Sequence, residues 1–173
     1  MNYEIYRYIP KKEIKNAAVI AGIFLFATAA LWIISVFVRD FKTVYIFSGI
    51  ISATAAAQVT TRFIISGYIY ILDKTDFIVV KANGAKSTQV CNIPLGALEG
   101  IAEKGKKNAE TEKQFGKAQS KINYCQNLFS GRAYCCIFDF DDKKTLIKFE
   151  ADEKFIAEMK KRAEYAKSES WFD

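Results

Sequence analysis

The feature that most constrains this chain is a run of 22 residues without a charge, AAVIAGIFLFATAALWIISVFV at 17–38. At a rise of about 1.5 Å per residue, a helix of this length reaches roughly 33 Å, enough to cross a hydrocarbon core of about 30 Å. A buried helix of a soluble protein seldom lacks a polar face over so many turns. The run therefore predicts a transmembrane helix.

A cleaved signal peptide is the other interpretation of this run. Basic residues precede it, and ATA at 27–29 resembles a small-residue cleavage site. However, the apolar sequence continues as LWIISVFV to the length of a full span. We therefore favour an uncleaved anchor.

A second uncharged run, 43–61, is shorter and contains Ser, Thr and Gln, but it is still long enough for a crossing. Only RDFK at 39–42 links the two runs, so two helices here must return antiparallel as a hairpin. Small residues let membrane helices approach closely, although alanine is also simply common in such segments. The small residues expected at the contact are Gly49, Ala53 and Ala57, with Ala18 and Gly22 facing them.

The charges that flank the runs predict the orientation. Four cations precede the first run, whereas the link carries Arg39 and Lys42. The excess favours a cytoplasmic N terminus, and two crossings return the C-terminal part to the same side. The four cysteines show no paired spacing, which fits a reducing compartment. We expect a two-pass protein of the cell membrane with both termini cytoplasmic.

The N-terminal sequence MNYEIYRYIPKK places three tyrosines beside cations. Aromatic rings and bases next to a span are typical of an interfacial anchor. A frayed tail is the alternative interpretation.

The pattern changes after Thr61, where Arg62 is expected to mark the cytoplasmic exit. The sequence becomes rich in Ile, Tyr, Phe and Val and is interrupted by turn residues, which predicts strands and hairpins. Seven strands are predicted, near 63–72, 75–82, 87–93, 97–103, 122–128, 132–140 and 144–150. Short strands joined by hairpins suggest a sandwich or barrel.

The last segment, 151–167, has the period of an amphipathic helix. Acids at its start and bases toward its end agree with the helix macrodipole. We expect Phe155, Ile156 and Met159 to be buried against the end of the barrel.

Three stretches carry a resemblance to a known family: YIYILDKTDFIVVKANG at 68–84, VCNIPLGALEGI at 90–101 and LIKFEADEKFIAEMKK at 146–161. With the preceding hairpin, this order resembles the bacterial pleckstrin-homology-like (PH-like) domains found behind transmembrane hairpins. The resemblance covers 62–167.

The expected fold class is therefore an α+β membrane protein, in which a transmembrane helical hairpin precedes a seven-stranded PH-like open barrel or sandwich capped by a C-terminal helix. The expected segments are a cytoplasmic or interfacial segment 1–16, a first span 17–38, a link 39–42, a second span 43–61, a PH-like domain 62–167 and a tail 168–173.

Several kinds of chemistry lack the residues they need. The chain has no histidine, which excludes imidazole bases, the usual triads and histidine metal sites. No dinucleotide or phosphate-loop fingerprint occurs. The acids Asp139, Asp141 and Asp142 fit a solvated hairpin turn better than a cation site. Cys135 and Cys136 are expected on opposite faces of a strand as core thiols. We expect no metal, no cofactor and no enzymatic activity.

The segment 104–121 is rich in lysine and longer than most connections in compact domains. The cytoplasmic face of a membrane is anionic and attracts such clusters, by about 1 kcal/mol per well-placed lysine. A solvated loop is the alternative, and with a single aromatic residue the segment offers no stacking platform for nucleic acid. The candidate lipid- or partner-binding residues are Lys104, Lys106, Lys107, Lys113 and Lys117.

These observations favour a membrane-anchored binding module for a protein partner or anionic lipid headgroups. The resemblance implies binding through surface loops or through the groove between the barrel and its helix. The alternative is a structural subunit of a larger membrane complex, in which the spans bind other helices. An enzyme is the class with the least support, because no residue pattern indicates a reaction.

Overall fold

The computed structural model describes residues 4–38, 40–103, 118–140 and 143–169. The helices in these ranges are α1 (Ile14–Phe37), α2 (Lys42–Val59) and α3 (Glu153–Glu169). The strands are β1 (Tyr6–Tyr8), β2 (Ser66–Leu72), β3 (Asp76–Asn83), β4 (Lys86–Pro94), β5 (Leu98–Glu103), β6 (Ser120–Asn123), β7 (Tyr134–Phe140) and β8 (Lys143–Phe149). The α+β class is confirmed, with two long apolar helices near the N terminus, then strands and a C-terminal helix.

The chain divides into two compact units. The first, called the hairpin unit, comprises residues 12–66 together with 127–129. The rest of the described chain forms the sheet unit.

In the hairpin unit, α1 and α2 meet through small and hydroxyl-bearing side chains. The residues that α1 buries are Ala17, Ala21, Thr28 and Ser35, and those that α2 buries are Gly49 and Ala56. The buried residues of α1 from Ala21 onward, which are Ala21, Thr28 and Ser35, recur every seven positions. This is the spacing of a coiled-coil seam. The expectation for Gly49 is confirmed, whereas that for Ala18, Gly22 and Ala57 is wrong, because these lie on exposed faces. The contact between α1 and α2 is made by the residues next to the predicted ones, such as Ala17 and Ala21 in place of Ala18 and Gly22, and Ala56 in place of Ala57.

Backbone atoms and side chains come close where the two helices touch. The Ser52 hydroxyl of α2 donates a hydrogen bond to the Phe24 carbonyl of α1 at 2.8 Å. A Cβ placed on Gly49 would overlap the indole of Trp32. The absence of a side chain at Gly49 therefore permits the approach, and the interhelical hydrogen bond stabilises it.

The end of the hairpin differs from the sequence prediction. A strand was predicted from residue 63, but a π-helical turn, Thr60–Ile65, continues α2 and contains Arg62, so β2 begins at Ser66. The Ser66 hydroxyl donates to the carbonyl of Thr61 at 2.8 Å. A helical turn lets these β-prone residues bond their own backbone before a partner strand is within reach.

The sheet unit contains two four-stranded sheets, with the orders β1-β2-β3-β4 and β5-β7-β8-β6. The described residues thus form one strand more than the seven predicted. The additional strand is β1, which pairs antiparallel with β2 so that Tyr6 faces Leu72 and Tyr8 faces Tyr70. A three-residue strand is too short to produce a recognisable alternation of apolar and polar residues, so no sequence pattern predicts it.

The strand predicted at 122–128 is also displaced. It forms at Ser120–Asn123 and pairs parallel with β8. Beyond it, the buried side chain of Gln126 accepts a hydrogen bond from the Tyr68 backbone N–H at 2.7 Å. The strand itself ends where the Cys125 backbone N–H donates to the side-chain oxygen of Asn123 at 2.9 Å, a local turn bond that replaces a further ladder bond to β8.

Both sheets and α3 contribute to one aromatic core. The ring of Phe149 lies 5.3 Å from that of Tyr70, 5.0 Å from that of Phe77 and 6.2 Å from that of Phe155. The predicted burial of Phe155, Ile156 and Met159 is confirmed. Close ring packing of this kind adds to the free energy gained from area burial.

Truncating Phe155 tests this core. Replacement by Ala should lower the free energy of unfolding by about 3–5 kcal/mol, because the cavity would open among the five rings that pack against Phe155. The thermal midpoint of the full chain in detergent, followed by near-ultraviolet circular dichroism, should fall clearly. The control is Lys154→Ala, which removes an exposed side chain next to it on α3. An unchanged midpoint in Phe155→Ala would contradict the capping role of α3.

Candidate binding groove beside the C-terminal helix

The five lysines predicted as binding residues do not lie in the part of the chain that the structure describes. They are Lys104, Lys106, Lys107, Lys113 and Lys117. Their role in binding stays a prediction. The described residues instead present a concave surface elsewhere in the sheet unit.

A groove of about 210 Å³ lies between β5 and α3. Its apolar surface is formed by Leu98 and Ile101 of β5 and Ala163 of α3. Its polar rim is formed by Glu99, Lys160, Glu164 and Lys167. Apolar side chains therefore line the centre of the groove, and charged side chains line its margin.

β5 forms the edge of its sheet. It pairs antiparallel with β7 on one side, and no described strand pairs with its other side. The register shifts between Leu98, opposite Phe138, and Gly100, opposite Ile137. This irregularity breaks the alternation locally, so that Leu98 and Ile101 both contribute to the groove and the core. An unpaired strand edge presents backbone N–H and C=O groups to a further strand.

Arg162 holds α3, the second wall of the groove. Its side chain is almost fully buried and donates to the backbone carbonyls of Leu72 and Asp73, both at 2.9 Å. It also donates to the carbonyl of Glu4 at 2.8 Å and to the carboxylate of Glu158 at 2.7 Å. One guanidinium group thus ties α3 to the end of β2 and to the N-terminal segment.

The role of Arg162 was missed in the sequence, where it stands among the bases of the last helical turns. Its position carried a signal, because it follows Phe155 by seven residues and Met159 by three. That spacing puts a charged residue on the apolar stripe of the helix. Such a residue is expected to be paired, since an isolated buried charge is very unfavourable.

A short 3₁₀ turn, Leu95–Ala97, packs beneath α3 just before β5. Leu95 is fully buried, and its backbone N–H donates to the carbonyl of Thr75 at 2.6 Å. At Gly96, a Cβ would lie 4.0 Å from the methyl group of Ala166, an ordinary contact distance. The turn therefore fixes the start of β5 relative to the helix.

The charges around the groove are partly compensated. Lys144 donates to both carboxylate oxygens of Glu99 at 2.9 Å and lies 4.0 Å from Asp139. The hydrogen bond to Glu99 raises the pKa of Lys144, so its ammonium group is charged at neutral pH. Of the other rim charges, Lys160 and Lys167 outnumber Glu164. The rim is therefore mildly basic.

The cysteines are packing residues of the sheet unit. Cys135 and Cys136 are buried, as expected, Cys125 is buried as well, and Cys91 is half-buried. Burial raises the pKa of Cys136 far above its ordinary value and also raises that of Cys91. A protonated thiol is a weak nucleophile and a weak metal ligand.

Comparisons of the chain with family models, with curated protein sequences and with solved structures find no match. Function must therefore be inferred from the groove and from the hairpin.

Removal of Arg162 should loosen both the helix and the N-terminal strand. Arg162→Met leaves the half-buried carboxylate of Glu158 and three carbonyl groups without this donor, and a buried acceptor left unsatisfied costs about 1–3 kcal/mol. We expect a lower thermal midpoint and faster amide hydrogen exchange in β1. Lys154→Met is the control. Unchanged exchange in β1 would show that Arg162 does not hold that strand.

Proposed function

We propose that this chain is a membrane-anchored binding module. In this proposal α1 and α2 cross the cell membrane as a hairpin, and the sheet unit is a PH-like domain on the cytoplasmic side. The groove between β5 and α3 binds an extended segment of a protein partner. The observation that carries the proposal is the edge of β5, which no other described strand covers, beside the groove.

The surface of the hairpin supports the membrane part. Both helices are long and apolar enough to cross a bilayer, the second one together with the π turn that continues it. Large apolar side chains remain uncovered along them, including Phe26 at 77% and Phe37 at 79% exposure. A helix in the core of a soluble protein would have such side chains covered, and water-exposed apolar patches of this extent are rare. Lipid chains are the environment that fits them.

The shape of the groove favours an extended peptide. A segment added to β5 would exchange main-chain hydrogen bonds with its free edge, which supplies affinity. Alternate side chains of a strand point the same way, so apolar residues at every second position would reach Leu98, Ile101 and Ala163. Lys160 and Lys167 at the rim favour an acidic residue beside them. The proposed ligand is therefore an extended segment with alternating apolar residues and an acid.

Anionic lipid headgroups remain the second ligand of the proposal. Their support comes from the composition of the lysine-rich segment alone, since its residues lie outside the described ranges. The attraction would be electrostatic and would weaken as salt rises.

A structural subunit of a larger membrane complex is the competing function. One observation favours it: Ala18 and Gly22 lie on an exposed face of α1, and no heavy atom lies within 4 Å of a Cβ placed on Gly22. Another helix could approach closely at that face. In this case the groove would have no ligand.

Site-specific photocross-linking distinguishes these functions. A photoreactive phenylalanine analogue at Glu164, on the groove rim, should give a discrete protein adduct in native membranes. The double variant Lys160→Glu, Lys167→Glu should reduce that adduct about tenfold or more, the factor that corresponds to a loss of about 1.4 kcal/mol in binding. Mass spectrometry should locate the cross-link in an extended acidic segment of the partner.

The matched control is Lys154→Glu, which reverses a charge on the same helix outside the groove and should leave the adduct unchanged. An adduct that is insensitive to the double variant would contradict binding in the groove. Loss of the adduct in both variants would assign the effect to overall charge.

A further inference from the structure

A short segment between β6 and β7 belongs to the hairpin unit and not to the sheet unit. The chain leaves the sheet unit after Gln126, and residues 127–129 associate with the helices before it returns at Ser130. The sequence of the segment is Asn-Leu-Phe. Neither the groove nor the core accounts for this excursion.

Asn127 fixes the segment at the start of α1. Its side-chain oxygen accepts a hydrogen bond from the backbone N–H of Glu13 at 2.7 Å, and Glu13 is the N-cap residue of the helix. The first N–H groups of a helix have no partner within it, and an asparagine side chain is well suited to bond them. The segment therefore lies level with the first turn of α1.

The other end of the hairpin lies at this level too. The ammonium group of Lys12 donates to the carbonyl of Ile64, and to that of Ser66 at 3.1 Å, where the π turn ends. A lysine commonly bonds the last carbonyls of a helix in this way. These hydrogen bonds join three elements of the hairpin unit: the start of α1, the end of the π turn and the segment 127–129. We call the residues of these three elements the layer at the end of the hairpin.

Apolar side chains in this layer are exposed. Phe129 is 62% exposed, Ile65 is 54% exposed and Ile14 is 43% exposed. Lys15, in the first turn of α1, is an exposed cation in the same layer. Aromatic side chains next to cations at the ends of spanning helices are characteristic of the membrane–water interface.

We propose that Phe129 inserts into the interfacial layer of the membrane that the hairpin crosses. The segment 127–129 would be a third membrane contact that does not span the bilayer, and its partner is a lipid surface. Three features carry this inference: the bond from Asn127 to Glu13 that sets the level of the segment, the exposure of Phe129, and the exposed apolar side chains at both ends of the hairpin. The inference rests on the proposed function, because it requires the hairpin to be inserted.

Depth-dependent fluorescence quenching tests the inference on the full chain in vesicles of phosphatidylcholine and phosphatidylglycerol. Both native tryptophans are first replaced, by Trp32→Phe and Trp171→Phe, and a single tryptophan is then introduced by Phe129→Trp. A second variant, Phe26→Trp, reports on the interior of the span, roughly 18 Å along the helix from Ile14 at about 1.5 Å per residue. Lipids brominated near the headgroup or near the chain ends serve as quenchers, with aqueous iodide as the third.

We expect the Phe129→Trp variant to be quenched more by the shallow bromines than by the deep ones, and to be protected from iodide. The Phe26→Trp variant should show the opposite preference between the two lipids. If Phe129→Trp is open to iodide and insensitive to both lipids while Phe26→Trp is quenched by deep bromines, the inference is wrong and the inserted hairpin stands. If Phe26→Trp is also insensitive to both lipids, membrane crossing itself is wrong.

The cap provides an independent check. In the double variant Asn127→Ala, Phe129→Trp, the segment loses its bond to the start of α1. The ratio of segments inserted in the membrane to segments outside it should then fall about fivefold, the size of effect typical of losing a helix cap. Asn127→Asp keeps the accepting oxygen and should preserve shallow quenching. Equal quenching in the alanine and aspartate variants would overturn the role of Asn127 in holding the segment at this level.

Discussion

The pairing of β1 with β2 is the constraint on which the rest of the structure depends. Tyr6 faces Leu72 and Tyr8 faces Tyr70. The strand that precedes the helical hairpin in the chain, β1, therefore pairs with the strand that follows it, β2. The chain must leave this sheet after β1 and return to it at β2. The residues just before α1 and those just after the π turn therefore belong to one sheet.

The same pairing joins the N-terminal segment to the core. The ring of Tyr8 lies 5.5 Å from that of Phe155, and that of Tyr6 lies 5.8 Å from it. Arg162 binds the backbone at Glu4 and at the end of β2. Three parts of the chain thus stabilise one another: the N-terminal segment with β1, the strand β2, and the C-terminal helix α3. This arrangement positions α3, and with it the wall of the groove.

Local patterns made part of this fold predictable. The uncharged run at 17–38 and the spacing of Phe155 and Met159 need only the neighbouring residues to be read, and the structure bears out a long apolar helix and a buried stripe there. The π turn Thr60–Ile65 was not predictable, because its residues favour strands and only the continuing helix makes them helical.

The groove depends on relations between distant residues. Sequence spacing identified β5 as a strand, but whether a strand lies at an edge is decided by which strands pair around it. In the sequence, Lys160 and Lys167 are only bases that suit the end of a helix. Their position at the same groove as Glu99 follows from the packing of α3. The hydrogen bond between Asn127 and Glu13 joins residues far apart in the chain. No local pattern marks such a contact.

In the proposed topology both ends of the hairpin lie in the cytoplasm, so the turn at Asp40 would lie outside the cell and the sheet unit inside it. Asp40→Cys and Ser87→Cys introduce thiols at exposed positions of the turn and of β4, in a background in which the four native cysteines are replaced by alanine. A membrane-impermeant maleimide should label Asp40→Cys in intact cells, and should label Ser87→Cys only after the membrane is permeabilised. Labelling of both positions in intact cells, or of Ser87→Cys alone, would contradict a two-pass hairpin that carries a cytoplasmic binding module.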